Sequence, residues 1–234
     1  MNPHGSTHLI GMHGWAGDHH SWTPWAEQVQ QRGWGFSWGE RGYGAFPPAV
    51  PHWPQGARHR IVIAHSLGPH LIPAEVWGEA TAAVWLASFT RFLPQGRAGR
   101  PLQTALRSMR QRLEAGEVNA LLREFLARAA APQAAELLPQ GPLERGISAE
   151  GLQRLLIDLG RLEASSGLPE GFPQGIPVLV VEAGQDQIVA PESRAQLRQE
   201  LPQATVWSRA DLGHSLLDPS LPGAVLQWIA DACA

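Results

Sequence analysis

The chain has 234 residues, a length that predicts one domain carrying an insertion rather than two independent domains. Apolar residues make up 44% of it and charged residues 17%, which excludes a wholly disordered chain. The net charge of −3 gives no basic field for a polyanion, so we expect no nucleic-acid partner. All 18 basic residues are arginines, which excludes chemistry that needs a lysine, such as a Schiff base.

Cysteine and histidine usage limits the chemistry further. Cys233 is the only cysteine, so neither an intramolecular disulfide nor a cysteine metal cluster can form. The adjacent pair His19 and His20 lacks the spacing that would bring two imidazoles together on one helix face. We therefore expect no metal and no cofactor. We also expect no secretion signal, no membrane partner, a cytoplasmic location and a monomer.

Short β-rich runs alternate with longer amphipathic runs, which predicts an α/β fold with a mainly parallel sheet. The predicted strands are 8–12, 35–38, 60–64, 82–87, 177–182 and 205–208. The predicted helices are 24–32, 67–77, 191–201 and 222–232, three of which begin at a proline. Four prolines between Gly44 and Arg60 predict an irregular connection in place of a helix.

Residues 91–174 interrupt this alternation. They contain helical patterns near 102–113, 118–130 and 149–164 and no convincing strand. We therefore predict a core formed by residues 1–90 and 175–234, with 91–174 as a helical insertion above the sheet. Residues 91–128 hold eight arginines and three glutamates, a net charge of +5. This charge fits either a solvated helix face or a docking face for an acidic partner.

The central chemical motif is Ala64-His65-Ser66-Leu67-Gly68, which follows a predicted strand and precedes a helical pattern. Small residues on both sides of a serine allow a strained turn that presents the hydroxyl at the carboxyl end of the strand. A helix N-terminus beyond it favours developing negative charge. The motif alone is equally consistent with a structural serine turn. We expect His65 to pack against this turn rather than act as a base.

Three further segments of the sequence favour a catalytic role for Ser66. His13-Gly14-Trp15 follows the first strand, and the N–H groups of Trp15 and Leu67 are candidates for an oxyanion hole. Asp186 follows a buried strand, and His214 follows the last strand. The order Ser66, Asp186, His214 is the one expected of a nucleophile, an orienting acid and a general base on this architecture.

Secondary candidates surround these three residues. Glu182 is the reserve for the acid, because it lies at the end of the strand that Asp186 follows. Trp15 is the first candidate for the wall of an acyl pocket, since it directly follows His-Gly. Weaker candidates for the pocket come from neighbouring loops and from the insertion, namely Phe89, Phe92, Phe125 and Leu216.

Along its whole length the sequence resembles the α/β-hydrolase superfamily. More narrowly, it is similar to the pimeloyl-[acyl-carrier protein] methyl ester esterases of biotin synthesis. The similar segments are Leu-Ile-Gly-Met-His-Gly-Trp at 9–15, Ser-Leu-Gly at 66–68, Ala-Ser-Phe-Thr at 87–90 and Arg-Glu-Phe-Leu-Ala at 123–127. The sequence departs from that pattern at Ala64, which replaces a glycine, at Pro69 and in the proline-rich stretch 45–59.

The resemblance implies a serine esterase whose helical insertion is a lid. In that family an acidic carrier protein docks on the lid through arginines, and the acyl chain descends to the serine. The corresponding candidates here are Arg107, Arg110, Arg112, Arg123 and Arg128. Three other functions share the same features: a broad short-chain carboxylesterase or thioesterase, a lyase of menaquinone synthesis, and a ligand-binding protein without catalysis.

Overall fold

The structure of the protein is a computed structural model, which describes residues 7–233. It contains one six-stranded sheet in the order β2-β1-β3-β4-β5-β6, and every neighbouring pair is parallel. The strands are β1 (Thr7–Met12), β2 (Gly35–Gly39), β3 (His59–His65), β4 (Ala82–Leu86), β5 (Val178–Ala183) and β6 (Thr205–Arg209). The predicted α/β class and parallel sheet are therefore confirmed.

Eight α-helices accompany this sheet in the described part of the chain. They are α1 (Thr23–Gln31), α2 (Ala74–Gly78), α3 (Arg100–Glu114), α4 (Val118–Ala130), α5 (Pro142–Arg145), α6 (Ala149–Ala164), α7 (Pro191–Glu200) and α8 (Leu221–Ala232). Across residues 7–233, none of them combines the length and the apolar character that crossing a bilayer requires.

Alternating side chains along the strands divide the core into two layers, because successive residues of a strand point to opposite faces of the sheet. One face of β3 contributes Ile61 and Ile63 to a layer that also holds residues of α1 and α8. The other face contributes Val62 and Ala64 to a layer that holds residues of α2, α3, α4, α6 and α7. The helices α3, α4 and α6, which lie between β4 and β5 in the chain, therefore pack in the second layer.

The predicted helix over 67–77 is wrong. A short 3₁₀ turn (Gly68–Leu71) follows β3, and only the five-residue α2 comes after it. Pro69 and Pro73 each lack a backbone N–H, so neither can continue a helical hydrogen-bond ladder. Ile72, which precedes Pro73, is extended with ψ 131°, as expected for a residue before proline.

The connection between β2 and β3 is irregular, as its prolines predict. Between Gly39 and His59 the only regular feature is an isolated antiparallel bridge from Glu40 to Ala49. The indole N–H of Trp53 donates to the carbonyl of Val76 in α2, at 2.9 Å. This loop therefore packs against α2.

The helical segment between β4 and β5 is tied to the core through α6. Asp158 of α6 is fully buried and accepts two hydrogen bonds from Arg41, both at 2.8 Å. The hydroxyl of Tyr43 donates to the same carboxylate at 2.6 Å. Trp15 adds a hydrogen bond from its indole N–H to the carbonyl of Leu155, at 3.0 Å. Thus α6 is held against the loops that follow β1 and β2.

We predict that Asp158→Ala destabilises the protein by about 2–4 kcal/mol, because it leaves Arg41 and Tyr43 without their acceptor in a largely buried site. The measurement is the free energy of unfolding from urea titration. Arg112→Ala is the matched control, since Arg112 pairs with Glu117 and Glu124 at the surface, where such pairs contribute little. Equal losses in the two variants would contradict the anchoring role of Asp158.

Candidate active site

Ser66 lies at a strained turn directly after β3. Its φ is +56°, in the left-handed region that non-glycine residues seldom occupy. Its N–H donates to the carbonyl of Leu86 at 2.9 Å, and the hydroxyl of Ser88 donates to the Ser66 carbonyl at 2.5 Å. Hydrogen bonds from β4 and from the residues just after it therefore hold the turn in place.

The small residues around Ser66 have distinct roles. A Cβ at Gly68 would lie 2.4 Å from the carbonyl oxygen of Met12 and 3.2 Å from the Cβ of Ala64. A side chain at position 68 is therefore excluded by the end of β1. The methyl group of Ala64 is fully buried and fits because position 68 carries none. This explains how the turn accepts alanine where the similar family has glycine.

The structure brings Ser66, Asp186 and His214 together in one hydrogen-bonded chain. His214 Nε2 lies 2.9 Å from Ser66 Oγ, and His214 Nδ1 lies 2.9 Å from Asp186 Oδ2. The other carboxylate oxygen accepts the N–H groups of Ile188 and Val189, at 2.8 and 2.9 Å. With Nδ1–H bound to the carboxylate, Nε2 is left to accept the serine proton.

Asp186 is ionised in this arrangement. Burial alone would raise the pKa of its carboxyl, but the charge and hydrogen bond of His214 favour the carboxylate. The N–H groups of Val189 and Ile188 act in the same direction, so the pKa lies below its ordinary value. An ionised carboxylate at this point can orient the imidazole and stabilise its protonated form.

The turn after β1 lies against Ser66. A Cβ at Gly14 would lie 2.8 Å from the Cβ of Ser66, so only glycine allows this approach. Within residues 7–233, the backbone N–H groups of Trp15 and Leu67 are not donated to any protein acceptor. Both belong to residues adjacent to Gly14 or Ser66, which makes them available to a ligand beside the serine.

A cavity of about 1400 Å³ opens beside Ser66 and His214. Three of the predicted pocket residues line it, namely Trp15, Phe125 and Leu216. The rings of Trp15 and Phe125 meet edge to face with centroids 4.9 Å apart. Further lining residues come from 16–25 and from 135–145, segments without a chemical motif that could have singled them out in the sequence.

Phe89 and Phe92 do not line this cavity, so their prediction as pocket residues is wrong. Phe89 is fully buried and stacks on His70, with ring centroids 5.3 Å apart. The rings of Phe92 and Phe89 pack together with centroids 5.1 Å apart. Both residues belong to the core layer that includes residues of α2 and α3. Residues that follow a strand at the correct edge can thus turn into the core instead of the pocket.

Glu182 is not the acid that contacts His214. Both of its carboxylate oxygens accept from Arg198 at 2.6 Å. Asp186 occupies the position beside the imidazole instead, because the chain continues beyond β5 before turning back. The reserve assignment of Glu182 is therefore wrong.

The arginines of 91–128 differ in how far their charge is compensated. Arg112 donates to Glu117 and bidentately to Glu124, so its charge is already paired. The remaining predicted docking residues, which form no ion pair with a carboxylate among residues 7–233, are Arg107, Arg110, Arg123 and Arg128. Of these, Arg123 lines the cavity.

His65 fixes the loop that carries His214. Its Nε2 lies 2.9 Å from the carbonyl oxygen of His214, and the two rings have centroids 4.9 Å apart. Since a carbonyl can only accept, Nε2 carries the proton. Burial, together with the nearby His214 charge, lowers the pKa of His65 to about 4. His65 is therefore a neutral donor, and its position next to the serine was the only sequence signal for this role.

We predict that His65 makes the protein less stable in mild acid. The unfolded chain takes up a proton at His65 near pH 6.5, whereas the folded protein does so only near pH 4. As the pH falls through this window, the free energy of unfolding decreases by up to about 3 kcal/mol. His65→Gln keeps the donor and cannot titrate, so its stability should fall less between pH 6.5 and 4 in urea titrations. Parallel curves would contradict this.

Neither a protein-family model nor a curated protein sequence matches the chain. Solved structures do match. An esterase from Exiguobacterium antarcticum has a TM-score of 0.71 and 12% identity, covering 96% of this chain and 92% of its own. A bromoperoxidase from Bacillus anthracis has a TM-score of 0.71 and 15% identity, with coverage of 97% and 92%. An enol-lactonase from Burkholderia xenovorans has a TM-score of 0.70 and 13% identity, with coverage of 97% and 91%. The chain therefore has the α/β-hydrolase fold.

Proposed function

We propose that the protein is a serine hydrolase of carboxylic esters in which Ser66 forms an acyl-enzyme. The observation that carries this proposal is the chain of hydrogen bonds from Asp186 through His214 to Ser66, on a strained turn that opens into a cavity. Two of the similar structures are an esterase and an enol-lactonase, which supports an ester as the bond that is cleaved.

In the first half of the reaction, Ser66 Oγ attacks the ester carbonyl carbon and its proton passes to His214 Nε2. The negative charge that develops on the carbonyl oxygen is stabilised by the N–H groups of Trp15 and Leu67. The bond to the alcohol oxygen then breaks, and His214 returns the proton to that oxygen. Asp186 stabilises the imidazolium throughout.

In the second half, a water molecule adds to the acyl carbon of the Ser66 ester. Its proton passes to His214, and the bond between the acyl group and Ser66 Oγ breaks as the serine regains a proton. The products are a carboxylic acid and the free enzyme. No step requires a metal or an organic cofactor, because the protein's own groups move every proton.

The cavity supports a substrate with an extended acyl chain. Its walls beside Ser66 carry the apolar side chains of Trp15, Phe125 and Leu216. We propose as the finer assignment that the substrate is pimeloyl-[acyl-carrier protein] methyl ester of cytoplasmic biotin synthesis, which the segments at 9–15, 66–68, 87–90 and 123–127 support. Methanol is then the leaving alcohol, and the insertion serves as the lid.

The net charge of +5 over 91–128 supports docking of an acidic carrier protein on this lid. Arg123 is the best placed of the arginines, because it is exposed and also lines the cavity. A broad short-chain carboxylesterase or thioesterase would use the same catalytic residues without a carrier. A lyase of menaquinone synthesis would act on an unsaturated keto acid, and a ligand-binding protein would show no turnover.

We predict that Ser66→Ala abolishes hydrolysis of p-nitrophenyl butyrate and labelling by a fluorophosphonate, because both reactions require the serine oxygen. Turnover is followed by absorbance and labelling by intact mass. The control Ser108→Ala removes an exposed hydroxyl on α3 and should retain both. Activity of Ser66→Ala within about tenfold of wild type would overturn the nucleophile assignment.

We predict that pimeloyl-carrier methyl ester is turned over with a higher kcat/KM than the free methyl ester. Arg123→Glu should weaken only the carrier-linked reaction, since it reverses charge at the docking face. Arg58→Glu makes the same change of charge on an exposed loop just before β3. This loop lies at the amino ends of the strands, away from the proposed active site, so both reactions should be unchanged. Equal turnover of both wild-type substrates would instead favour a broad esterase.

A further inference from the structure

The peptide group between Gly14 and Trp15 joins the proposed oxyanion site to a buried polar cluster. Its N–H belongs to Trp15, and its carbonyl oxygen accepts from the imidazole of His13 at 2.9 Å and from the N–H of Gly17 at 3.3 Å. A trans peptide is planar, and its N–H and C=O point in opposite directions. Fixing the oxygen therefore fixes the direction of the Trp15 N–H.

The protonation pattern of His13 follows from its two neighbours. The backbone N–H of Arg41 can only donate, and it approaches His13 Nε2 at 3.3 Å. Nε2 is therefore the acceptor, and the ring proton lies on Nδ1, where it is donated to the Gly14 carbonyl. His13 is 1% exposed, so no solvent competes for this hydrogen bond.

Glu40 lies next to the Nε2 side of the His13 imidazole. Its Oε1 lies 3.4 Å from His13 Nε2, and its carboxylate also accepts from Gly42 N–H at 2.9 Å and from His19, through N–H at 3.1 Å and Nδ1 at 2.9 Å. Burial would raise the pKa of Glu40, but its contact with His13 and its hydrogen bonds from Gly42 and His19 lower it to about 2. An ionised Glu40 therefore lies beside Nε2, while Nδ1 faces the carbonyl of Gly14.

We propose that His13 is a positioning residue that aims the Trp15 N–H at the carbonyl oxygen of the substrate. This inference rests on the proposed esterase function. The hydrogen bond to the Gly14 carbonyl also polarises the peptide, which strengthens its N–H as a donor. His13 itself does not touch the substrate; it acts through the peptide that follows it.

Two variants distinguish the role of His13 Nδ1 from that of His13 Nε2. The amide nitrogen of His13→Asn can take the place of Nδ1 and still donate to Gly14, whereas His13→Gln reproduces only the Nε2 position. We expect kcat for p-nitrophenyl butyrate to fall about 10- to 100-fold in His13→Gln and no more than about threefold in His13→Asn, with KM nearly unchanged in both. Thermal unfolding is measured for both variants.

A second readout reports on the oxyanion directly. An alkyl trifluoromethyl ketone forms a hemiketal with Ser66 whose oxyanion occupies the same site, so its inhibition constant should rise in His13→Gln by about the same factor as kcat falls. Equal losses in the two variants, or losses that follow thermal stability, would overturn the positioning role. If the wild-type protein shows no turnover of the ester, or if Ser66 is not labelled by the fluorophosphonate, the proposed function is refuted instead.

The tautomer of His13 can be measured in the unmodified protein. ¹⁵N chemical shifts of the imidazole should show the proton on Nδ1 in the free enzyme, and the Trp15 amide proton should move downfield when the trifluoromethyl ketone binds. A neutral ring protonated at Nε2 cannot donate to Gly14 and would overturn the proposal. This experiment does not depend on the folding of any variant.

Discussion

The site depends on the close approach of two turns, one after β1 and one after β3. Gly14 lies against the Cβ of Ser66, and Gly68 lies against the carbonyl of Met12. Each contact leaves no room for a side chain, so β1 and β3 must be neighbours in the sheet and in register at their carboxyl ends. The serine, the backbone donors and the cavity all take their positions from this junction.

Hydrogen bonds from buried side chains stabilise the two turns at this junction. His65 donates to the His214 carbonyl, Ser88 donates to the Ser66 carbonyl, and His13 bonds to the Gly14 carbonyl. In each case a side chain bonds to a backbone carbonyl rather than to another side chain. Such bonds fix the path of the chain, which is the requirement for groups that must meet within hydrogen-bond distance.

Much of this arrangement could be predicted from local sequence. Strand periodicity and the order Ser66, Asp186, His214 located the sheet edge and the residues that meet there, because parallel strands present their carboxyl ends on one side. The predicted helix over 67–77 does not form, because Pro69 and Pro73 lack the backbone N–H groups that a continuous helix needs. Phe89 could not be assigned from sequence, since a residue beyond a strand can turn either to the pocket or to the core.

The hydrogen bonds that anchor α6 limit which helical segments could replace the one between β4 and β5. Asp158 lies in the insertion, whereas Arg41 and Tyr43 belong to the loop after β2. A segment grafted here from another protein of the α/β-hydrolase fold would leave those two side chains without an acceptor unless it brought a carboxylate to the same point. The insertion and the β2–β3 loop therefore form one unit for engineering, although more than a hundred residues of chain separate them.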